Sequence, residues 1–196
     1  QIYDDFMKHF SEISPAAERV VDAAESLIQQ HGYNDFSYDD ISREIGIKKP
    51  SIHHHFSTKA ELVRIVVQRY TNRFGEALKA IELSNQNAVS CLFKYADLFA
   101  QIYQKDQRLC VCGILGAEAK SLSTEAAQEV RLFFQLNVDW LTRIIRKGVN
   151  DGLIQFTSSS PEAHAYALLS VLEGAMIVGR GLGSQESPAT TGRTDI

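Results

Sequence analysis

The chain contains few of the residues that mark disulfide-rich, low-complexity or strand-rich proteins. Its three cysteines, Cys91, Cys110 and Cys112, are an odd number and too few to cross-link 196 residues, so reduced thiols are expected. Glycine and proline, with 12 and 4 copies, are sparse and fall between periodic segments, where they predict helix ends. Alternating β-branched residues are almost absent, so we expect no sheet. Hydrophobic residues make up 44% of the chain, enough for a sizeable core.

A long hydrophobic run is also missing. The most apolar stretch, residues 163–183, is interrupted by Glu173 and Arg180, whereas a membrane-spanning helix needs about 18 or more consecutive apolar residues. The sequence therefore predicts no membrane span. Because the chain opens at Gln1 without a basic and then apolar leader, we expect a cytoplasmic protein.

Overall positive charge is absent, but a local concentration of it is present. The net charge is −4, and residues 1–62 carry six Lys and Arg against eleven Asp and Glu. Between residues 41 and 59, however, four basic side chains face Glu44 as the single acid, and three consecutive histidines lie in the same window. This distribution predicts a small basic face of the kind that contacts nucleic acid.

The hydrophobic pattern has a period of 3.6 residues throughout, which predicts an all-α fold. Capping serines and threonines, prolines at first helical positions and glycines after the last apolar residue give the boundaries. Gly32, for example, is expected to end the first long helix in a left-handed conformation. The predicted helices cover a short segment within residues 2–13 and then about 16–31, 37–46, 49–56, 58–81, 88–104, 108–119, 124–150 and 161–182, followed by a disordered tail from 184 to 196.

Two short helices on either side of Gly46, with a longer helix packed behind them, form a predicted helix-turn-helix unit. In such a unit the second short helix enters the major groove of DNA. Polar residues suited to base edges or phosphates lie on that helix, while Ile52 is expected to face inward. Lys59, in the first turn of the next helix, is predicted to anchor a phosphate.

Residues 16–64 resemble the DNA-binding signature of the TetR family without a gap. The motifs that carry the resemblance are Gly32-Tyr33, Phe36-Ser37, Ile41-Ser42, Ile45-Gly46-Ile47, Ser51-Ile52-His53-His54-His55-Phe56 and Lys59-Ala60-Glu61-Leu62. The chain departs from the family at His53, where an aromatic is usual, and at Lys48, where a small hydroxyl is usual. Residues 112–118 and 173–175 are also similar to C-terminal halves of family members.

The resemblance implies a DNA-binding domain over residues 1–62, with an N-terminal extension over 1–14, and a larger helical effector-binding and dimerisation domain over 63–183. We expect a transcriptional regulator, a repressor that a small-molecule effector releases from operator DNA, acting as a homodimer through the last two long helices. The predicted DNA contacts are Ser37, Tyr38, Lys48, Lys49, Pro50, Ser51, His53, His54 and Lys59. The predicted effector pocket comprises Phe99, Tyr103, Phe133, Phe134, Trp140 and Tyr166.

Other functions remain open at this point. The same scaffold could serve a DNA-binding architectural protein without an effector, and a helical enzyme is a more distant alternative. Consecutive histidines on a helix lie about 100° apart and cannot converge on one ion, so we predict no metal site. No Ser/His/Asp set or carboxylate pair stands out in the sequence, so we predict no catalytic residue, and no cofactor is expected. Cys110 and Cys112 could sense oxidants or electrophiles, or simply be buried. Three acids, Glu118, Glu125 and Glu129, are expected on solvated helix faces.

Overall fold

The computed structural model describes residues 9–84, 87–155 and 160–185, and these residues contain eight α-helices and no strand. The predicted all-α class is confirmed. The helices are α1 (Pro15–His31), α2 (Tyr38–Ile45), α3 (Lys49–His55), α4 (Lys59–Ser84), α5 (Ala88–Tyr103), α6 (Val111–Ala117), α7 (Thr124–Asn150) and α8 (Pro161–Leu182). Single turns of 3-10 helix lie at Phe10–Glu12 and Ala119–Ser121. Most of the predicted first helix and of the predicted tail lies outside the described residues.

Local signals explain where the first helix begins and ends. The Ser14 side chain accepts a hydrogen bond from the backbone N–H of Ala17, and Pro15 occupies the first helical position. Gly32 follows the last turn and donates its N–H to the carbonyl of Ile28. Its φ of 86° is positive, as expected, but its ψ of −177° is extended rather than left-handed helical. The chain therefore leaves α1 in a conformation that is almost restricted to glycine.

The two short helices are delimited in the same way. Ser37 and Asp40 form a capping box at the start of α2, in which each side chain bonds the other residue's backbone N–H. Gly46, with φ 70° and ψ 26°, ends α2 in the left-handed conformation. Pro50 is accommodated in the first turn of α3, where no intrahelical N–H is needed.

Contacts divide the chain into two compact units. Unit 1 comprises residues 1–73 and 111–132, and unit 2 comprises residues 74–110 and 133–196. The core of unit 1 is formed by apolar residues of the first four helices and of α6, among them Val20, Val21, Ile28, Ile41, Ile52, Phe56, Leu62, Val66 and Leu115. Helix α6 thus belongs to the same unit as the helix-turn-helix, and the functional boundary at residue 62 remains a proposal.

Unit 2 has an aromatic core. The Phe74 ring meets those of Tyr95, Phe99 and Phe133 edge-on, with centroid distances of 6.3, 5.9 and 5.2 Å, and Trp140 stacks on Tyr95 at 5.5 Å. Such edge-to-face and stacked pairs contribute about 0.5–1.5 kcal/mol each beyond the area they bury. These rings pack against one another in the interior of the unit.

Helix α8 has an unusual balance of apolarity and burial. It is the one helix in the described ranges that is long and apolar enough to cross a membrane, with a mean hydropathy of 1.3 over 18 residues. Only 28% of that window is buried within the protein. A single helix of this kind is weak evidence for a membrane span, and the predicted absence of one remains a prediction.

Candidate nucleic-acid interface

Helix α3 presents a polar face to solvent. Its single buried residue is Ile52, as expected, which fixes the helix on the core of unit 1. Five residues predicted to contact DNA lie exposed on it, and a sixth, Lys48, is exposed at its N-cap: the five are Lys49, Pro50, Ser51, His53 and His54. The helix therefore offers hydrogen-bond donors that suit the acceptor atoms of bases and phosphates.

Acidic residues of α2 lie close to these cations. Lys49 Nζ forms an ion pair with Asp39 Oδ2 at 2.8 Å, and both side chains are exposed. Arg43 pairs with Asp40 on the same helix. Exposed pairs of this kind stabilise a protein by only about 0–1 kcal/mol, so Lys49 can exchange its carboxylate for a phosphate or a base at little cost.

Tyr38 requires a correction, because it is a core residue rather than a DNA contact. It is only 6% exposed, and its hydroxyl donates to the carbonyl of Phe56 at 3.0 Å. Burial, and then the charges of Glu61 and Tyr33, raise the pKa of this phenol well above its ordinary range. Its ring supports His53, whose imidazole centroid lies 4.7 Å away at 62°. Tyr38 therefore positions α3 from behind.

Lys59 also differs from its prediction as a phosphate anchor. Its ammonium donates to the backbone carbonyls of Tyr33 and Phe36 and lies 4.5 and 4.1 Å from the centroids of their rings. Burial lowers the pKa of Lys59, and the carboxylates of Glu118, Asp40 and Asp35 oppose that shift. The side chain is turned towards the loop between α1 and α2, which explains why it does not extend towards solvent.

Ser37 is exposed, but its polar atoms already have partners. Its hydroxyl donates to Asp40 Oδ2 at 2.6 Å and its backbone N–H donates to the same oxygen at 2.7 Å. Its observed role is to begin α2, and a contact to DNA remains a prediction.

Glu118 was expected on a solvated face, and that expectation is wrong. Its carboxylate is half-buried and accepts hydrogen bonds from the backbone N–H groups of Tyr33 and Asn34, at 2.6 and 3.2 Å, and from the Asn34 side chain at 2.7 Å. No sequence signal could have joined these residues, because they lie 84 and 85 positions apart. Glu125 and Glu129 were also expected on solvated faces. Glu125 is exposed as expected, whereas Glu129 is half-buried and accepts a hydrogen bond from the Gln68 side chain at 2.6 Å.

Of the six residues predicted to form an effector pocket, one is exposed and the other five are buried or partly buried. Tyr166 is 69% exposed on α8, so it does not line the interior, and its assignment is corrected. Tyr103 donates its hydroxyl to the carbonyl of Ser184 at 2.8 Å, and Trp140 donates its indole N–H to Glu82 at 3.0 Å. Phe99 and Phe133 are fully buried, and Phe134 packs edge-on against Phe133 at 5.6 Å. A groove of about 730 Å³ on unit 2, lined by charged residues such as Arg143 and Arg146, includes none of the six.

Glu173 is a second residue whose environment could not be predicted from the sequence. Its Oε1 is enclosed and has no hydrogen-bond partner within the described part of the chain, while the thiol of Cys110 hydrogen-bonds to the carboxylate. Burial raises the pKa of Glu173 to about 7, and the Cys110 contact partly opposes this shift. Both Cys110 and Cys112 are fully buried, which disfavours direct attack by an oxidant in solution.

Metal binding finds no support among residues 9–84, 87–155 and 160–185, where no three His, Cys, Asp or Glu side chains are grouped to hold an ion. The adjacent rings of His54 and His55 lie 5.5 Å apart at 63°, a contact between neighbours along one helix. The expectation of no metal and no cofactor remains a prediction.

Comparisons with known proteins cover both the DNA-binding segment and the whole chain. A profile of bacterial regulatory proteins of the tetR family matches residues 20–66. The biofilm operon icaADBC HTH-type negative transcriptional regulator IcaR of Staphylococcus epidermidis is 31% identical over 91 residues, which are 46% of this chain and 48% of IcaR. The HTH-type transcriptional repressor ComR of Escherichia coli is 33% identical over 43% of this chain and 40% of ComR. The match thus spans about half the length, or less, of these curated relatives.

Solved structures match almost end to end. A TetR-family transcriptional regulator from Agrobacterium tumefaciens shares 30% identity with a TM-score of 0.86, covering 91% of this chain and 94% of its own. A TetR transcriptional regulator from Legionella pneumophila shares 27% identity with a TM-score of 0.83, covering 94% and 97%.

The trihelical unit with an exposed polar third helix, joined to further long helices, defines an all-helical protein of the helix-turn-helix class. Similarity over almost the whole chain to the Agrobacterium tumefaciens regulator then identifies the family within this class of proteins. The chain belongs to the TetR family of bacterial regulatory proteins.

Proposed function

We propose that this protein is a cytoplasmic transcriptional repressor that binds operator DNA as a homodimer and is released by a small-molecule effector. The observation that carries the proposal is the exposed polar face of α3 in a three-helix unit of TetR type. Two curated relatives, one a negative regulator and the other a repressor, support the direction of control. Family membership argues against the enzyme alternative, and a DNA-binding protein without an effector is the second candidate.

The proposed DNA contacts are the exposed residues at and after the start of α3. Lys48 and Lys49 supply cations for phosphates or guanine edges, while Ser51 and the two imidazoles of His53 and His54 supply shorter polar groups. Pro50 contributes apolar contact beside them. Ser37, at the start of α2, is proposed at the margin of this surface, and Lys59 is proposed to act by holding the surface in place.

Lys49→Ala is expected to weaken binding to a DNA duplex that the wild-type protein selects from a random-sequence pool. The loss should be about tenfold at fixed salt, since one good base or phosphate contact is worth roughly 1–3 kcal/mol. Fluorescence anisotropy with labelled duplex measures it. Lys79→Ala is a matched control, because Lys79 is also exposed and paired with a carboxylate, Glu76 at 2.6 Å, but lies in unit 2. Equal affinities for Lys49→Ala and wild type would remove Lys49 from the proposed interface.

The homodimer is proposed to form through α7 and α8, where apolar side chains remain uncovered. On α8, Ile177 and Val178 are 51% and 60% exposed, and Tyr166 and Leu182 are more exposed still. At Gly174 a Cβ would meet nothing within 4 Å, which leaves room for a close approach by another helix. A second copy of the chain is the proposed occupant of this face, and a dimer would set two recognition helices about 34 Å apart, one turn of DNA.

Ile177→Glu is expected to convert the protein to a monomer at micromolar concentration, because the substitution would bury a charge in the proposed interface. Light scattering gives the mass directly, and operator affinity should fall with it. Leu83→Glu serves as the control, since Leu83 is a 90% exposed apolar residue on α4, outside α7 and α8. A dimer that survives Ile177→Glu, or a wild-type monomer, would refute the proposed interface.

The effector is proposed to bind unit 2, within or beside its aromatic core. Phe99, Phe133 and Trp140 supply apolar surface, and Tyr103 supplies a hydroxyl. Compounds that release the wild-type protein from its selected duplex would identify the effector. Failure of every compound, together with intact specific binding, would favour the architectural alternative.

A further inference from the structure

The loop between α1 and α2 is held on one side by a carboxylate. Glu118 Oε2 accepts from the N–H of Tyr33 at 2.6 Å, and its Oε1 accepts from the N–H and the side chain of Asn34 at 3.2 and 2.7 Å. We name this set of three hydrogen bonds the Glu118 clamp. All three donors lie in the loop, so the carboxylate satisfies two backbone groups that have left the helix. Hydrogen bonds to a charged acceptor are roughly twice as strong as neutral ones.

The same loop is also held by an ammonium. Lys59, from the first turn of α4, donates to the carbonyls of Tyr33 and Phe36. The N–H groups of the loop therefore face the carboxylate of Glu118, which follows α6. Its C=O groups face the ammonium of Lys59, which begins α4. Removal of either charge leaves peptide groups without their partner, so the loop position depends on both.

The recognition helix depends on this loop through two short steps. Ser37, which caps α2, follows Phe36 directly, so the loop sets where α2 begins. Tyr38, the first residue of α2, donates its hydroxyl to the carbonyl of Phe56, which caps the C-terminus of α3. A shift of the loop is therefore passed to both ends of the α2–α3 pair.

The Glu118 side of the loop is connected along the chain to unit 2. Cys110 is the last residue of that unit's first segment, and its thiol hydrogen-bonds to the carboxylate of Glu173. Val111, the next residue, begins α6. Helix α6 is only seven residues long and ends immediately before Glu118. The clamp is therefore separated from unit 2 along the chain by one short helix.

We propose that Glu118 is a positioning residue for operator recognition: its clamp on the α1–α2 loop holds α3 in its DNA-binding position. The proposal rests on the proposed function, since it requires specific DNA binding. It assigns a role to a carboxylate far in sequence from the helix-turn-helix.

Glu118→Gln tests the proposal with almost no change of shape. All three groups that face the carboxylate are donors, so the glutamine amide must turn its own N–H group towards at least one of them. Affinity for the duplex selected by the wild-type protein is expected to fall about tenfold, because a donor is left facing a donor. Asn34→Ala should give a smaller loss, and the double variant should lose less than the sum of the two, because both remove the same contact.

A second duplex of unrelated sequence separates positioning from simple loss of folded protein. Non-specific binding depends on phosphate contacts rather than on the fit of α3, so Glu118→Gln should leave it within about twofold of wild type. Glu82→Gln is the matched control, because Glu82 also receives three hydrogen bonds, from Trp140 and Arg143, but lies in unit 2. It should lower the thermal midpoint and leave the ratio of specific to non-specific affinity unchanged.

Three results would overturn the proposal. Wild-type affinity of Glu118→Gln for the selected duplex, or an equal loss for both duplexes, would show that the clamp does not position α3. Strict additivity of Glu118→Gln and Asn34→Ala would show that the hydrogen bond between them is not what affects affinity. A wild-type protein that binds both duplexes alike would refute the proposed function, and this inference with it.

Discussion

Gly32→Ala is expected to abolish specific DNA binding while the helices still form. With φ 86° and ψ −177°, Gly32 has a backbone conformation that is almost restricted to glycine and costs other residues about 1–3 kcal/mol. A Cβ there would also lie 2.7 Å from Glu118 Oε2 and 3.2 Å from its Cδ. The carboxylate cannot withdraw without losing its hydrogen bond to Tyr33, so the substitution combines backbone strain with removal of the clamp.

Gly152→Ala separates these two effects. Gly152 also has a positive φ, of 71°, but a Cβ there meets nothing within 4 Å, and the residue lies in unit 2. Its substitution should cost about 1 kcal/mol of stability and leave DNA affinity unchanged. Thermal unfolding and anisotropy on the same samples give both quantities. Specific binding by Gly32→Ala close to that of wild type would mean that the α1–α2 loop tolerates displacement.

Most of the fold could be predicted because its signals are local. The capping serines, the N-terminal prolines and the 3.6-residue pattern lie within a few positions of the boundaries they determine, and the expected helices at 124–150 and 161–182 are observed as Thr124–Asn150 and Pro161–Leu182. Gly32 shows the limit of such signals. Its positive φ was predictable from its place after a helix, but its ψ depends on where the following loop is held.

The sequence positions of the candidate site residues could be predicted, but the directions in which their side chains point could not. The spacing of residues 46–56 places polar side chains on α3, and the structure exposes them as expected. Tyr38 and Lys59 also lie within the segment that resembles the family's DNA-binding signature. Both side chains nevertheless turn towards the protein, because the carbonyls of Phe56 and of the α1–α2 loop lie within their reach. A sequence gives no measure of that reach, since it depends on how three helices pack.

Long-range contacts were not predictable at all. The Glu118 clamp joins residues 84 and 85 positions apart, and a glutamate after a short helix is most often solvated. Glu173 was noted only as an interruption of an apolar run, because its enclosure depends on the packing of α8 against its own unit. Both residues are carboxylates whose roles follow from tertiary structure alone.

Glu173→Gln is expected to make the protein more stable at neutral and alkaline pH. Burial raises the pKa of Glu173 from its ordinary value of 4.5 to about 7, and its Oε1 lacks a partner among the described residues. Ionisation is therefore easier in the unfolded chain than in the folded protein. Glutamine has a similar shape and no charge, so it removes the cost of burying a carboxylate.

The sign of the pH dependence follows from linkage. Between about pH 4.5 and about pH 7 the folded protein holds the Glu173 proton while the unfolded chain has released it, so the folded state binds more protons and stability falls as pH rises. Above about pH 7 both states are ionised at this residue and its contribution is constant. The rise in the pKa of Glu173 from 4.5 to about 7 corresponds to about 3 kcal/mol of stability, all of it lost by about pH 8.

Urea unfolding of wild type and Glu173→Gln at equal protomer concentration, at about pH 5 and about pH 8, measures this contribution as the difference between the two proteins. The variant should match wild type within about 1 kcal/mol at the lower pH and exceed it by about 3 kcal/mol at the higher one. Glu76→Gln is the control, because Glu76 is exposed and paired with Lys79, so its difference from wild type should be small at both pH values. The expectation fails if the free energy of unfolding of Glu173→Gln falls between the two pH values as steeply as that of wild type, since the titrating group would then lie elsewhere in the protein.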